Sequence, residues 1–440
     1  MRFILLLLAL MPLASNATMK IDINKGNSSD IIVAFSEPYI SNTNNSDQIS
    51  ENILSIVRND LVNTGFFKII IPENPIYSDS NAMLNDFPLL AKFDVTAILG
   101  LSIIDGKNQK NKDAIRLQIK LFDSVTKKTI VSRIINANTN NHRRLGHIVS
   151  DTIYSALTGD SGYFDTQILY IARENQKRYI AIVDQDGANK KFLTTGSNFA
   201  STPRVAPQGK YIVYTSYSSR FTKVILRDLK SGSEKILWDV KGITSAPRFS
   251  PDGKSIVLSH SLNGRSNLYT VNLLTGTVER LTNDNSINTS PSFSPDQSKI
   301  VFNSDRNGRM LLYTMIIANH SKPTLLSQGK GSYAAPIWSP RGDYIAFIKI
   351  YKGNFYLGVM EVNGGNERIL SRTYMRGELI ESPTWSPNGR VIIFARERMI
   401  PGKGLIHELN SIDVTGFNEH AIDTRGGESL DPEWSSNYIG

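Results

Sequence analysis

Few residues in this 440-residue chain have the spacing that a chemical site needs. Asp184, Asp186 and Gly187 begin like a calcium-binding loop, but the glycine comes two positions early and no glutamate follows at the required place. We therefore expect a hairpin turn there. His407 and Glu408 begin like a zinc-protease motif, yet Ser411 occupies the position of the second histidine.

Other catalytic patterns are also missing from the sequence. No Gly-x-Ser-x-Gly nucleophile turn occurs, and the lack of cysteine excludes disulfides, thiol catalysis and thiolate metal sites. The six histidines are scattered, with only His142 and His147 close together on a predicted helix. The sequence therefore predicts a protein that is not an enzyme and has no catalytic residue, no metal ligand and no cofactor.

The chain is dominated by a sequence motif, here called the anchor phrase, that occurs six times. It consists of a proline, two or three residues that include a hydrophobic one, a Pro-Asp-Gly-like turn and a run of aliphatic residues. Its anchor prolines are Pro203, Pro247, Pro291, Pro336, Pro383 and Pro432, with spacings of 44, 44, 45, 47 and 49 residues. A period in the 40s with strand-like content predicts a β-propeller of four-stranded blades.

The start and end of the repeat region predict how the ring closes. The chain from Gln167 matches the second, third and fourth strands of a blade, whereas the missing first strand follows Pro432. We therefore expect an all-β six-bladed propeller over residues 163–440, closed by the C-terminal strand.

Residues 18–160 are not repetitive and predict a separate α/β domain. Apolar residues at helical spacing precede Gly65 and Gly159, which are placed to end two helices. Three strand-like runs, 95–105, 114–123 and 129–137, indicate an antiparallel meander.

Residues 1–17 resemble a cleaved secretory signal peptide, with Arg2, an apolar stretch, Pro12 and a small-residue exit at Ala17. The alternative is an uncleaved anchor, but the apolar run before Pro12 is far shorter than the roughly 20 residues that cross a bilayer. We expect an exported mature chain that does not span a membrane.

The net charge of +9 comes almost entirely from the propeller, because residues 18–160 contain 15 basic and 15 acidic side chains. The six predicted loops between second and third strands contain twelve basic residues: Arg173, Lys177, Arg178, Arg220, Arg265, Arg306, Arg309, Lys349, Lys352, Arg396, Arg398 and Lys403. They contain three acidic ones: Glu174, Asp305 and Glu397.

Such loops are often charged simply because they are solvated. The alternative is that this face attracts an acidic protein surface. Nucleic acid is not expected as a partner, because the loops lack interleaved aromatic residues. Two further classes stay open: a peptidase-like or lyase-like propeller with a site in its funnel, and a periplasmic sugar-binding or peptidoglycan-binding module. The four tryptophans argue against the second, since Trp338, Trp385 and Trp434 lie in anchor phrases.

The order of the segments and the join LTGDSGYFDTQILYIA from Leu157 resemble the TolB family over essentially the whole chain. This resemblance implies a monomeric, non-enzymatic periplasmic component of the Tol-Pal system, which supports outer-membrane invagination during cell division and outer-membrane integrity. It implies two partners, the inner-membrane protein TolA and the peptidoglycan-associated lipoprotein Pal. The TolA-binding segment would be Thr18, Met19, Lys20, Ile21, Asp22, Ile23, Asn24 and Lys25. This segment would either add to a sheet edge or lie on its own domain.

The resemblance also implies that Pal docks on the propeller face that contains the blade-linking loops. The corresponding contacts are Ile243, Ser245, Ala246, Asn288, Thr289 and Ser290, with Arg265, Arg306 and Arg309 on the basic loops. This sequence departs from the family pattern at two of them. Ile243 stands where a histidine is familiar, and Ser290 stands where a glutamate is.

Overall fold

The structure is a computed structural model that describes residues 30–40, 46–72, 94–105, 114–196, 199–217, 221–375, 377–400, 402 and 404–439. The predicted signal peptide and the predicted TolA-binding segment, residues 18–25, lie outside these ranges. No helix within the described ranges combines the length and the apolar character that crossing a membrane requires.

The N-terminal domain is a mixed sheet with two helices. Its elements are β1 (Ile31–Phe35), β2 (Tyr39–Ile40), α1 (Ser46–Asn63), β3 (Phe67–Ile70), β4 (Ala97–Asp105), β5 (Ala114–Asp123), β6 (Thr129–Asn138) and α2 (His142–Thr158). The strand order is β3-β1-β4-β5-β6, with β2 also paired to β4. The predicted antiparallel meander of β4, β5 and β6 is confirmed. The parallel pairing of β1 with both β3 and β4 was not predicted.

Both helices bury an apolar stripe against this sheet. Ile53, Val57 and Leu61 on α1 are fully buried, as expected of side chains spaced about one helical turn apart. Gly159 ends α2 in a left-handed conformation, with φ of 77°, and its N–H donates to the carbonyl of Ser155 at 3.0 Å. The predicted C-cap is therefore confirmed.

The rest of the chain forms six four-stranded blades, which confirms the predicted fold class. Blades 1 to 3 are β10–β13 (Phe199–Val205, Tyr211–Tyr217, Thr222–Asp228, Glu234–Trp238), β14–β17 (Ile243–Phe249, Ser255–Leu262, Arg265–Asn272, Val278–Arg280) and β18–β21 (Asn288–Phe293, Lys299–Ser304, Leu311–Ile316, Thr324–Leu325). Blades 4 and 5 are β22–β25 (Ser332–Trp338, Tyr344–Tyr351, Asn354–Glu361, Arg368–Arg372) and β26–β29 (Leu379–Trp385, Val391–Ile400, Gly404–Asp413, His420–Ile422). Blade 6 combines β30 (Glu428–Trp434) with β7 (Gln167–Glu174), β8 (Lys177–Asp184) and β9 (Lys191–Phe192).

Blade 6 closes the ring as predicted. The C-terminal strand β30 pairs antiparallel with β7, with Trp434 opposite Ile168. The amide of Gln167 donates to Ser435 Oγ at 2.8 Å, which fixes the register at the end of the pair. The closing strand is thus held by hydrogen bonds between residues that are 268 positions apart.

Each first strand contains a β-bulge immediately before its anchor proline. The residue that precedes the proline has a left-handed φ between 46° and 52° in all six blades: Thr202, Ala246, Ser290, Ala335, Ser382 and Asp431. A bulge bends its strand and re-aims the neighbouring side chains. Because none of these residues is glycine, the surrounding pairing has to hold the unfavourable backbone conformation in place.

Candidate partner-binding surface

The propeller has two faces, and the N-terminal domain covers one of them. Asn388 donates from Nδ2 to the carbonyl of Ser161 at 2.7 Å, and the Asn418 side chain donates to the carbonyl of Asn63. Asn388 lies in the turn between the first and second strands of blade 5, and Asn418 lies in the turn between its third and fourth strands. The opposite face consists of the loops between second and third strands, such as 263–264, 305–310 and 352–353, and of the segments that link successive blades. We call this face the mouth. No hydrogen bond or ion pair between the two domains lies on it within the described chain.

Three exposed apolar side chains form an arc on the mouth. Phe199, Ile243 and Ile287 each lie four residues before an anchor proline, in blades 1, 2 and 3. They are 46%, 62% and 42% exposed. The Phe199 ring contacts Tyr217 edge-on, with ring centroids 5.2 Å apart, and the Arg178 guanidinium lies 4.0 Å from the Phe199 ring centroid. Only Ile243 was predicted, although alignment of the six phrases identifies all three positions.

The other predicted contacts on the first strands lie deeper than Ile243. Ser245, Ala246, Thr289 and Ser290 are half-buried at the bulges of blades 2 and 3. Because all four residues are half-buried, a partner could contact only part of each side chain.

Asn288 and Arg306 are linked by hydrogen bonds to each other and to Asp284, which lies in the segment between blades 2 and 3. Asn288 is fully buried, and its Nδ2 donates to Asp284 Oδ1 at 2.9 Å. Arg306 donates from Nη2 to Asn288 Oδ1 at 2.8 Å and to Asp284 Oδ2 at 3.1 Å. Its guanidinium also lies 4.8 Å from the Tyr313 ring centroid. These two residues hold the blade-linking segment in place, whereas Arg265 is exposed to solvent.

The fold neutralises part of the positive charge that the sequence places on this face. Five of the twelve basic loop residues form ion pairs: Arg173, Arg306, Lys349, Arg396 and Arg398. Five others have no ion pair within the part of the chain that the structure describes: Lys177, Arg178, Arg265, Arg309 and Lys352. Arg220 and Lys403 lie outside the described residues. The excess of cations is therefore smaller than the loop composition indicates.

A buried polar cluster lies at the joint between the domains, on the face opposite the mouth. Asp60 of α1 accepts hydrogen bonds from Ser150 Oγ at 2.7 Å and from Gln185 Nε2 at 2.8 Å, and His147 Nδ1 lies 2.8 Å from its Oδ2. Burial opposes a charged imidazole, but attraction to Asp60 and the hydrogen bond between them outweigh it and raise the pKa of His147 to about 8. Burial also raises the pKa of Asp60, and its hydrogen bonds offset part of that effect.

The two motif-like sequences have structural roles. The 184–187 segment is a hairpin turn in which the Gly187 amide donates to the Asp184 carbonyl at 2.8 Å, as predicted. His407 lies across the blade 5 hairpin from Glu397, with Nδ1 3.2 Å from Oε2. Trp385 and Trp434 are buried and Trp338 is half-buried, so these three do not form an exposed aromatic platform.

A small α/β domain packed on one face of a six-bladed propeller is the architecture of a two-domain β-propeller protein. The family models that match are the TolB amino-terminal domain over residues 19–130 and the TolB beta propeller domain over residues 154–438. The chain belongs to the TolB family.

Relatives and a solved structure agree with this assignment. The chain is 44% identical over 430 residues to the Tol-Pal system protein TolB of Wolbachia pipientis wMel, covering 96% of each sequence. It is 40% identical over 394 residues to the Tol-Pal system protein TolB of Gluconobacter oxydans, covering 88% of this chain and 83% of the relative. The crystal structure of TolB from Acinetobacter baumannii superposes with a TM-score of 0.78 at 27% identity, covering 93% of this chain and 97% of the other.

Proposed function

We propose that this protein is a periplasmic, non-enzymatic scaffold of the Tol-Pal system that links TolA to the lipoprotein Pal. In this role it supports outer-membrane invagination during cell division and outer-membrane integrity. Pal docks on the mouth, and TolA binds the N-terminal segment, residues 18–25. The observation that carries the proposal is the apolar arc of Phe199, Ile243 and Ile287 on the face opposite the described contacts with the N-terminal domain.

The arc has the composition of a protein-binding patch. Exposed aromatic and aliphatic side chains that lie together mark interaction sites on soluble proteins, and aromatic residues and arginine are enriched where binding energy concentrates. Phe199 with Arg178 stacked at 4.0 Å provides both kinds of group in one contact. The unpaired cations around the arc favour an acidic rim on the partner. The predicted contacts Ser245, Ala246, Thr289 and Ser290 are half-buried at the bulges of the first strands in blades 2 and 3.

The two partner sites are separate in this proposal. The TolA-binding segment precedes β1, which belongs to the N-terminal domain, and that domain packs on the face opposite the mouth. One chain can therefore hold both partners at once. Export by a signal peptide over residues 1–17 would place the monomeric mature chain in the compartment where both partners are accessible.

Calorimetric titration of the chain from Thr18 with the periplasmic domain of Pal from the same organism tests the proposal. We expect saturable one-to-one binding that weakens between about 50 and 500 mM salt, because added salt shortens the range of charge attraction several-fold. Absence of binding contradicts the Pal assignment, and binding that does not depend on salt contradicts the role of the cations.

The TolA assignment has its own test. A chain that begins after Lys25 should lose binding to the periplasmic part of TolA and retain its affinity for Pal. If that truncated chain binds TolA as well as the longer chain does, residues 18–25 are not the binding segment.

A further inference from the structure

We propose that the joint between the two domains is a binding site for a divalent transition metal ion such as Zn²⁺, with His147, Asp184 and Asp186 as ligands. One possible ligand atom from each of these residues lies within 4.8 Å of the others. Atoms that share one zinc ion lie about 2.0–2.2 Å from it, so about 3–4 Å from one another. The three groups therefore need to approach by no more than about 1 to 2 Å.

The orientation of His147 is that of a metal ligand with a supporting carboxylate. Its Nδ1 is engaged by Asp60 Oδ2 at 2.8 Å, which leaves Nε2 as the nitrogen available for coordination. Nε2 is buried and has no hydrogen-bond partner among the residues that the structure describes, and the side chain is only 2% exposed. Ligating histidines commonly hold a carboxylate with their other nitrogen, since this fixes the ring and strengthens it as a ligand. Asp60 is thus a positioning residue.

The two carboxylates come from the propeller and still have acceptor capacity. Asp184 is 2% exposed at its side chain, and its Oδ2 accepts from Asn189 Nδ2 at 2.7 Å. Asp186 is 25% exposed at its side chain, and its Oδ1 accepts from the Ala188 amide at 3.1 Å. Asp186 Oδ2 pairs with Arg143. One nitrogen and two carboxylate oxygens form a set that suits transition metals better than Ca²⁺ or Mg²⁺.

Arg143 pairs with the two carboxylates that the ion would bind. Its Nη2 pairs with Asp186, and its Nε lies 3.4 Å from Asp184 Oδ2. The Arg143 side chain is 26% exposed, so it can turn out to solvent when the ion binds. Arginine and metal therefore compete for the same two carboxylates, and removal of the arginine should increase metal affinity.

The sequence alone predicts no metal ligand, because the histidines are scattered and the Asp184-to-Gly187 motif lacks the features of a calcium loop. The fold changes this expectation, because docking of α2 on blade 6 brings His147 to the hairpin turn. A bound ion would connect the N-terminal domain to the propeller directly. This inference does not depend on which partners the mouth and the N-terminal segment bind.

The test is titration of the chain from Thr18 with zinc chloride at pH 8, where protons compete less for the ligands, with cobalt chloride absorption as a second readout. We expect one equivalent of metal to bind. Asp186→Asn and His147→Gln should each weaken binding at least tenfold, and Arg143→Gln should strengthen it at least threefold. His320→Gln is the matched control, since that imidazole pairs with Glu279 on the surface and is 40% exposed.

Asp186→Asn keeps the test decisive if the buried His147 variant does not fold. No binding of zinc by the unmodified chain would overturn the proposal. So would binding that Asp186→Asn leaves unchanged, or binding that His320→Gln removes.

Discussion

The side-chain amide of Asn388 donates a 2.7 Å hydrogen bond to the carbonyl of Ser161 and so ties the inter-domain segment to blade 5. Asn388 Oδ1 also accepts from the Arg390 amide at 3.1 Å inside its own turn. In blades 2 and 3 the equivalent residues are Asp252 and Asp296, whose carboxylates hold the same turn. The asparagine of blade 5 differs from these aspartates in having a side-chain N–H, which donates to the carbonyl of Ser161.

Asn388→Asp should loosen the joint while preserving the turn. The carboxylate keeps the acceptor of the turn, but no donor remains for the Ser161 carbonyl. Because Ser161 is exposed, we expect the loss of this bond to cost about 0.5–1.5 kcal/mol. We expect a lower unfolding midpoint in denaturant and faster proteolysis between residues 158 and 167. Asp252→Asn is the control, because that turn makes no contact with the inter-domain segment within the described residues. Equal effects of the two substitutions would contradict this account of Asn388.

Glu433 should stabilise the propeller by pairing with arginines from two other blades. Its Oε2 lies 3.4 Å from Arg204 Nε and 3.7 Å from Arg248 Nη1. Burial and repulsion by Arg204 lower the pKa of Arg248 to about 9, and attraction to Glu433 offsets part of this effect. Glu433→Gln leaves the buried Arg204 and the half-buried Arg248 without their shared anion, and we expect a loss of about 3 kcal/mol in the free energy of unfolding.

The control for Glu433 is Glu428→Gln in the same strand. Glu428 pairs with Arg173, whose side chain is 44% exposed, so the pair is screened by solvent. We expect Glu428→Gln to change stability by less than about 1 kcal/mol. Denaturant titration of both variants makes the comparison, and a loss for Glu433→Gln no larger than that for Glu428→Gln would contradict the prediction.

Asp151 should make stability fall as pH rises from about 4 to 6. Its carboxylate accepts from the amides of Phe164 and Asp165, at 2.8 and 3.1 Å, but burial outweighs these bonds and raises its pKa from 3.8 to about 6. In that interval the folded chain holds a proton that the unfolded chain has released. The free energy of unfolding therefore falls as pH increases, at no more than about 1.4 kcal/mol per pH unit.

Asp151→Asn removes this titration. Relative to the unmodified chain, the variant should become more stable as pH rises through the same interval, whatever fixed loss the substitution causes. Thermal unfolding midpoints at pH 4, 5, 6 and 7 measure the difference. A difference that stays constant across these values would show that Asp151 does not titrate as described.

The sequence repeat was enough to predict the propeller. Which residues are exposed on the mouth, and which side chains meet at the joint between the domains, could be seen only in the folded structure. Six anchor phrases determined the number of blades and the closure at Pro432, and Gly159 indicated where α2 ends. The sequence could not show that Asn288 is buried, because its burial depends on how Arg306 packs over the neighbouring segment. Likewise, His147 and Asp60 are 87 residues apart and meet only when the two helices pack together.

Two exposed side chains in blade 2 distinguish docking of a partner on the mouth from docking on the opposite face. Ile243 lies on the mouth and is 62% exposed, whereas Leu274 lies in the turn between third and fourth strands and is 92% exposed. We would titrate the Ile243→Glu and Leu274→Glu variants with the periplasmic domain of Pal. The account predicts at least tenfold weaker binding for Ile243→Glu and unchanged binding for Leu274→Glu. Unchanged binding by Ile243→Glu, or a loss confined to Leu274→Glu, would contradict it.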